Sequence, residues 1–289
     1  MKGIIAAAGK GSRLFPLTHS VSKHLLPVYN KPLIYYPITN LIASGITDIC
    51  IITNPHELTL YKKLLGNGKN FGCKFEYCEQ KEAKGIPDIL NYSIDIFGRE
   101  PITLLLGDNI IAGSENVLKR LSEKKIEGAK IFARTVHDPS RYGIIELDQN
   151  KKILSIEEKP NNPKSNLAII GLYMFDNLVY EYLQEITPSE RGELEITDIL
   201  KKYYSANKLT VDLMRRGSVW FDAGTPESLL KASLYIELFE KQSGMMIGSI
   251  EEAALNKKII SCQELTKTVN LMPSSNYKDY LIQIINYKK

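Results

Sequence analysis

The feature that most constrains the fold is an alternation of short apolar runs with segments of helical period. The run GIIAAA is followed by KPLIYYPITNLIASG, DICIITN, a polar helix-like stretch and CKFEYCE. A further helical segment, GIPDILNYSIDIFG, precedes the apolar run ITLLLGDN. This alternation predicts an α/β fold in which helices cover both faces of a mostly parallel sheet. Ligands bind such sheets at the carboxyl ends of the strands.

The second half of the chain has a different pattern. From about Ala129 the apolar runs become shorter alternating strands, namely AKIFARTV, YGIIELD, KILSIEE, AIIGLYMFD and LTVDLM. They predict that mixed or antiparallel strands extend the sheet. After Asp222 the pattern is helical, beginning with ESLLKASLYIELFEKQ. The expected architecture is therefore a Rossmann-like, three-layer, mixed but mostly parallel sheet with a C-terminal helical segment.

Composition excludes several classes of protein. The net charge of +4 on 289 residues is small, which argues against nucleic acid as the main partner. The four cysteines have no C-x-x-C spacing, so reduced thiols are favoured over a disulfide frame or a metal site. No apolar run approaches the roughly 18 residues of a membrane span. We expect a cytoplasmic protein that does not bind a membrane.

The loop after the first apolar run has the composition of an anion-binding site. Gly9 and Gly11 offer unobstructed N–H groups, and Arg13 adds fixed positive charge. The third glycine of the dinucleotide fingerprint is replaced by Leu14, and Lys10 is followed by glycine rather than the Ser or Thr of a P-loop. For the glycines alone, a simple βα turn with solvated basic residues is the better interpretation.

A second polar position follows the run ITLLLG. There Asp108 is placed at the end of a buried strand, where its carboxylate needs a partner. A helix N-cap is one explanation and a divalent cation is another. Because both loops follow apolar strands, we expect them at the same edge of the sheet and facing one site.

Several long motifs resemble the sugar-1-phosphate nucleotidyltransferase family, and specifically its glucose-1-phosphate thymidylyltransferase group. They occur in the family's order over most of the chain, which makes a chance match very improbable. The motifs are GxGxRLxPxTxxxSKxLLPVYxKPxIYYP at the start, then LLGDN, RYGIIELD, IEEKPNNPKSNLAIIGLYMFD, RGELEITD and WFDAGTPESLLKAS. The resemblance implies the nucleotide-diphospho-sugar transferase type of fold.

The resemblance also implies the reaction. A sugar 1-phosphate oxygen attacks the α-phosphorus of a nucleoside triphosphate, so that a nucleotide sugar forms and pyrophosphate leaves. With dTTP and glucose 1-phosphate as substrates, the product is dTDP-glucose. Fixed cations and a divalent metal, Mg²⁺, suit the building negative charge, and no side-chain nucleophile is needed.

The family's site residues carry over to matching positions of this chain. Arg13, Lys23, Asp108, Lys159 and Asp222 would be catalytic, and Asp108 with Asp222 would hold the metal. The nucleotide would be bound by Ala8, Gly9, Gly11, Ser12, Arg13, His24, Gln80 and Gly85. The sugar phosphate would be bound by Asn109, Gly143, Glu158, Lys159 and Arg191.

The nucleobase loop departs most from the family pattern. His24 stands where the family has glutamine, and the loop reads QKEAKGIPDI with changes at Ala83, Pro87 and Asp88. A histidine offers a donor and an acceptor on separate atoms, unlike an amide. Asp88 itself suits either the base site or an exposed first turn of a helix. A related enzyme using UTP, CTP or another sugar 1-phosphate is one alternative, and a silent nucleotide-sugar-binding subunit is another.

The resemblance further divides the chain into a catalytic domain, residues 1–226, and a C-terminal helical segment, residues 227–289. In the family this segment builds the interface of a homotetramer and a second, regulatory nucleotide site. Arg216 and Gly217 match the family's RG, and Glu251 with Glu252 match its acidic pair. The stretch ALNKKII departs from the family pattern, so tetramerisation is the stronger expectation of the two.

Overall fold

A computed structural model describes residues 1–82, 84–113, 115–123 and 125–288. The strands are β1 Lys2–Ala7, β2 Pro27–Val28, β3 Lys31–Pro32, β4 Asp48–Thr53, β5 Lys74–Glu79, β6 Ile102–Leu106, β7 Asn109–Ala112, β8 Ala129–Thr135, β9 Gly143–Leu147, β10 Ile153–Glu158, β11 Leu167–Phe175, β12 Leu209–Leu213 and β13 Val219–Asp222. The helices are α1 Tyr35–Ala43, α2 Leu58–Leu65, α3 Asp88–Phe97, α4 Glu115–Leu121, α5 Val179–Tyr182, α6 Ile196–Ser205, α7 Pro226–Ser243, α8 Ile250–Asn256, α9 Cys262–Leu271 and α10 Asn276–Lys288.

The central sheet confirms the predicted mixed α/β fold. Its order is β10-β9-β11-β6-β1-β4-β5, and β8 pairs with both β11 and β12. The β6-β1-β4-β5 block is parallel, whereas β11 runs antiparallel to β6, β8 and β9. Strands β1, β4 and β6 of this block are mainly apolar runs because they are buried on both faces, whereas β5, at the edge of the sheet, has exposed and half-buried positions. The switch to antiparallel pairing coincides with the shorter alternating runs of the sequence.

The parallel block places the two predicted site loops side by side. In the register of β1 and β6, Ala6 lies opposite Leu106, and Gly107 donates its backbone N–H to the Ala6 carbonyl at 2.9 Å. The chain leaves both strands in the same direction, because they are parallel neighbours. The glycine loop and the Asp108 turn therefore meet at the carboxyl edge, as the sequence predicts.

The C-terminal helices share a hydrophobic core with the rest of the chain. The buried side chains of Ile250, Leu265 and Leu281 belong to the same cluster as Ile34 and Ile38. Ile34 precedes α1, and Ile38 lies within it. Helix α7 follows β13 directly and begins with a capping box at Thr225. The division into residues 1–226 and 227–289 stays a prediction. In the described ranges no helix is long and apolar enough to cross a membrane.

Candidate active site

The pairing of two short strands brings the two predicted metal aspartates together. Asp108 lies in the turn between β6 and β7, and Asp222 is the last residue of β13. Strands β7 and β13 are antiparallel, with Asp222 opposite Asn109. The backbone N–H of Ala223 donates to the Asp108 carbonyl at 2.9 Å. Both carboxylates line one cavity of about 180 Å³.

The electrostatics of this pair fit a bound divalent cation. Burial would raise the pKa of Asp108, but Lys23, which donates to its Oδ2, and Asn109 hold that pKa well below its usual range. Burial and the neighbouring Asp108 charge raise the pKa of Asp222. A cation between the carboxylates would remove their repulsion. Since no group of three or more His, Cys, Asp or Glu in the described residues is arranged around a metal, phosphate oxygens and water would complete the shell.

The side chain of Asn109 orients the carboxylate of Asp108. Its Nδ2 donates to Asp108 Oδ1 at 2.9 Å, while its Oδ1 accepts from Trp220 Nε1 at 2.5 Å and from the Gly171 backbone N–H at 3.1 Å. A Cβ at Gly171 would lie 2.7 Å from that oxygen, so this contact requires glycine. Asn109 also lines the cavity, and its predicted sugar-phosphate contact stays a prediction.

Sequence reasoning missed Trp220, although its position contained a usable signal. Residues two apart on a strand point to the same face, so Trp220 must lie on the side of β13 that Asp222 faces. The indole packs edge-on against the ring of Tyr142, with centroids 5.2 Å apart. Tryptophan thereby contributes both a donor for Asn109 and part of the cavity wall.

The glycine loop supplies the predicted cations. Gly11 adopts a left-handed φ of 64° before the short helical turn that contains Arg13. A Cβ at Gly224 would lie 2.6 Å from Arg13 Nη2, which places the guanidinium directly above the backbone next to Asp222. A Cβ at Gly9 would lie 3.0 Å from Lys23 Cε, so the lysine stem packs against the glycine. Arg13 therefore lies against the backbone of Gly224, while Lys23 packs its stem along Gly9 and contacts Asp108 directly.

The predicted sugar-phosphate residues surround the same cavity from the other side. Gly143, Glu158 and Lys159 line it, at the paired ends of β9 and β10. Arg191 lies at its margin, with Nη2 3.7 Å from Glu158 Oε1 and 2.7 Å from Glu195 Oε1. Burial raises the pKa of Glu158, despite the opposing effect of Lys159. The structure thus collects residues from three distant motifs around one space.

Arg141 is a further cation that the sequence analysis did not select. Its Nη2 lies 3.7 Å from Asp222 Oδ2, and its guanidinium lies 5.6 Å from the centroid of the Tyr142 ring. It lines the cavity beside Gly143. Its place in the RYG motif was the available signal, but only Gly143 of that motif was chosen.

A second cavity, of about 230 Å³, lies against the first. Five of the predicted nucleotide-binding residues line it, whereas Gly11 and the exposed Ser12 lie in the adjoining loop and Arg13 lines the first cavity. The two cavities share Ile86, Leu106 and Asp108. The predicted nucleotide residues in its lining are Ala8, Gly9, His24, Gln80 and Gly85, and Lys23, which is predicted to be catalytic, lines it as well. Asp108 therefore stands at the junction of the two cavities, which we call the sugar-side and the nucleotide-side cavity after the predicted residues that line them.

His24 lines the second cavity but is almost completely buried. Its Nδ1 lies 3.2 Å from both Ser22 Oγ and Tyr61 Oη, and those two hydroxyls lie 2.8 Å apart. Burial and the nearby Lys23 charge lower the pKa of His24 to about 3. The ring is therefore neutral at physiological pH. Its predicted contact with a base stays a prediction.

The nucleobase loop, QKEAKGIPDI, is held in place by contacts at Gly85 and at the start of α3. Gly85 has a φ of 103°, and a Cβ there would lie 2.1 Å from the carbonyl oxygen of Leu194. The expectation that Asp88 could be exposed is wrong, because Asp88 is 8% exposed and accepts from Gln80 Nε2 at 3.0 Å. The departure at Ala83 lies outside the described residues.

Comparisons with known proteins identify a family model and several relatives that this chain resembles in sequence. A family model described as nucleotidyl transferase matches residues 2–238. The glucose-1-phosphate thymidylyltransferase of Mycolicibacterium smegmatis is 40% identical over 286 residues, with 99% of each chain covered. The enzyme of the same name from Xanthomonas campestris pv. campestris is 41% identical, covering 97% of this chain and 95% of that one.

Solved structures of two differently named enzymes are also similar to this chain. A Bacillus anthracis structure, described as a candidate glucose-1-phosphate thymidylyltransferase in complex with a sucrose, is 43% identical with a TM-score of 0.75. The alignment covers 81% of this chain and 94% of that chain. A UDP-glucose pyrophosphorylase with UDP-glucose bound is 27% identical with a TM-score of 0.72, over 83% of this chain and 98% of that one.

Proposed function

Because this chain belongs to the nucleotidyl transferase family, we propose that it transfers a thymidylyl group from dTTP to glucose 1-phosphate, giving dTDP-glucose and pyrophosphate. The observation that carries this proposal is the pair of adjoining cavities with Asp108 at their junction. A triphosphate in one and a sugar phosphate in the other would meet at the carboxylate pair. The full-length identity of about 40% to thymidylyltransferases names the two substrates.

The chain's own residues bind and orient two anions for a direct displacement. Arg13 and Lys23 hold the triphosphate, and the Gly9 and Gly11 region lets it approach the backbone. Lys159 and Arg191 hold the sugar phosphate with one oxygen aimed at the α-phosphorus. That oxygen forms the new P–O bond while the bond to pyrophosphate breaks, and the fixed cations stabilise the charge on the leaving group. Positioning and electrostatics supply the catalysis.

Asp108 and Asp222 would hold Mg²⁺, which supplies charge neutralisation at the reacting phosphate. The two oxygens of Asp108 have separate partners, since Oδ2 accepts from Lys23 and Oδ1 from Asn109. Each carboxylate oxygen has a further lone pair for a cation. Lys23 and Asn109 therefore fix the carboxylate in one orientation, and Arg13 and Arg141 balance the charge of Asp222.

The alternatives are less well supported. A uridylyl reaction is represented by the UDP-glucose pyrophosphorylase neighbour, but at 27% identity against about 40% for the thymidylyltransferases. A silent subunit has no need to keep two repelling carboxylates beside the cations Arg13, Lys23 and Arg141.

We would measure pyrophosphate release with Mg²⁺ and glucose 1-phosphate, comparing dTTP, UTP, CTP, GTP and ATP under identical conditions. The proposal predicts the highest kcat/KM with dTTP. Preference for another triphosphate would keep the reaction type and reject the thymidylyl assignment. No release with any nucleotide, including with other sugar 1-phosphates, would favour the silent subunit.

We also propose that the chain assembles into a homotetramer in which α7 contacts a second copy. Leu230, Leu234 and Leu238 are 60%, 54% and 62% exposed and form a ridge one turn apart along this helix. Glu227 and Lys241 lie equally far from Leu234 on either side. A two-fold axis at Leu234 would place each acid opposite the other copy's lysine, which supports an antiparallel helix pair.

A regulatory nucleotide site stays a prediction. Its acidic pair already has partners in the chain, because Glu251 accepts from Tyr277 and Glu252 accepts from Tyr280 at 2.6 Å. Burial raises the pKa of Glu251. These contacts tie α8 to α10, so the acidic residues have a structural role independent of any second nucleotide.

A further inference from the structure

The nucleotide-side cavity contains few groups that could distinguish one base from another. Its wall is mostly aliphatic side chain and glycine backbone, and its uncharged polar side chains are His24 and Gln80. His24 is 1% exposed, and its Nδ1 faces the hydroxyls of Ser22 and Tyr61. Gln80 is therefore the side chain best placed to read the edge of a base. The inference below rests on the proposed nucleotidyl transfer.

The orientation of the Gln80 amide is determined by Asp88. A carboxylate accepts hydrogen bonds and has none to donate, so the NH₂ group and not the carbonyl must face it. Gln80 Nε2 donates to Asp88 Oδ2 at 3.0 Å, and both side chains are buried. The remaining polar atom of the amide, Oε1, is then the one available to a ligand.

The fold stabilises the Asp88 carboxylate in its contact with Gln80. It is the first residue of α3, where the helix dipole favours a negative side chain. Gln80 follows β5 directly, and its backbone N–H donates to the Thr53 carbonyl at 2.8 Å. The contact thus joins the end of a central strand to the start of a helix, and neither partner lies on a free loop tip.

We propose that Asp88 is a specificity-determining residue, which fixes Gln80 so that the cavity presents an acceptor to the base. An acceptor matches the imide N–H of thymine or uracil. Cytosine has a lone pair at the same ring position, so two acceptors would face each other without a proton between them. The site would therefore select imide-bearing pyrimidines against cytosine.

The test is the ratio of kcat/KM for dTTP to that for CTP in the full chain and in Asp88→Asn. An asparagine has the same shape but can donate as well as accept, so Gln80 would be free to turn its NH₂ group towards the base. We expect the wild-type chain to favour dTTP on the order of 10- to 100-fold, and the variant to lose about tenfold of that preference. Asp95→Asn, the same change at an exposed position of α3, should leave the ratio unchanged.

Gln80→Leu shows whether Asp88 acts through Gln80. This variant should lose the same preference, and adding Asp88→Asn to it should cause no further loss, because the amide to be oriented is gone. Independent, multiplying effects would show that Asp88 contacts the nucleotide by another route and would overturn the proposal. Melting temperatures identify any variant that fails to fold.

Equilibrium binding of dTTP and CTP is measured in parallel, so that an inactive chain still gives an answer. A folded Asp88→Asn protein with the wild-type ratio overturns the role of Asp88 and leaves the proposed reaction standing. A wild-type chain that binds both nucleotides equally also overturns it. Failure of turnover with every nucleotide, combined with the expected binding ratios, would reject the proposed reaction and support Asp88.

Discussion

The burial of His24 predicts a specific dependence of stability on pH. The pKa of a histidine is ordinarily about 6.5, and in the folded chain that of His24 is lowered to about 3 by burial and by the Lys23 charge, which Asp108 only partly offsets. Between these values the unfolded chain binds a proton at His24 and the folded chain does not. Stability should therefore be complete above about pH 6.5 and fall as the pH is lowered towards 3.

The size of the effect follows from the two pKa values. Within that interval the free energy of unfolding changes by about 1.4 kcal/mol for each pH unit. Lowering the pH from about 7.5 to about 5 should therefore remove about 2 kcal/mol through this one group. That is a large share of the roughly 5–15 kcal/mol by which folded proteins are stable.

The measurement is urea unfolding of the wild-type chain and of His24→Gln at both pH values. Glutamine keeps a polar side chain at the site but cannot bind the proton. Carboxylates such as Glu195, whose pKa is lowered in the fold by Arg191 and other hydrogen-bond donors despite its burial, titrate in both proteins and cancel in the comparison. The wild-type chain should lose about 2 kcal/mol more than the variant.

A matched control separates burial from a general histidine effect. His137 is exposed, so His137→Gln should show the same loss of stability as the wild-type chain. If His24→Gln also shows that same loss, to within about 0.5 kcal/mol, the ring is not excluded from protonation in the fold and the reasoning fails.

Two further changes test the carboxylate pair and the proposed interface. Asp108→Asn should lower turnover by more than about 100-fold, because it removes a charge aimed at the cation, while circular dichroism shows a folded chain; near-normal activity would reject the metal assignment. Asp198→Asn, at a surface ion pair, is its control. Leu234→Glu should reduce the molar mass measured by light scattering, because like charges would meet at the two-fold axis, whereas Leu154→Glu, at another exposed leucine, should not. An unchanged mass for Leu234→Glu would contradict the α7 interface.

Much of the fold could be predicted from the sequence because the hydrophobic period and the length of each apolar run are local properties. The run DICIIT is continuous and apolar, and it forms β4 in the centre of the parallel block, buried on both faces. The glycine loop and the Asp108 turn could be assigned to one edge, since parallel strands end on the same side. For Asp88 the same local reasoning left the base site and an exposed helical turn as equal alternatives, because helix position says nothing about which neighbour covers a side chain.

The short strands β7 and β13 were not recognised, although they complete the site. Each has only 4 residues, too few for a clear alternation, and they stabilise each other through a pairing between distant parts of the chain. The contact of Trp220 with Asn109 depends on that pairing. Sequence identified Asp222 only through the likeness of its motif to a family.

The sequence by itself determined the class of fold, the edge at which ligands bind and the residue types that suit a phosphate-transfer site. These follow from hydrophobic period and from the chemistry of single side chains. Only the tertiary structure decided that β7 pairs with β13 beside Asp108, that His24 is too deeply buried to become charged at neutral pH, and that Asp88 holds Gln80. Each of these depends on which distant segments pack together, and the packing of distant segments sets the burial and the charge around a group.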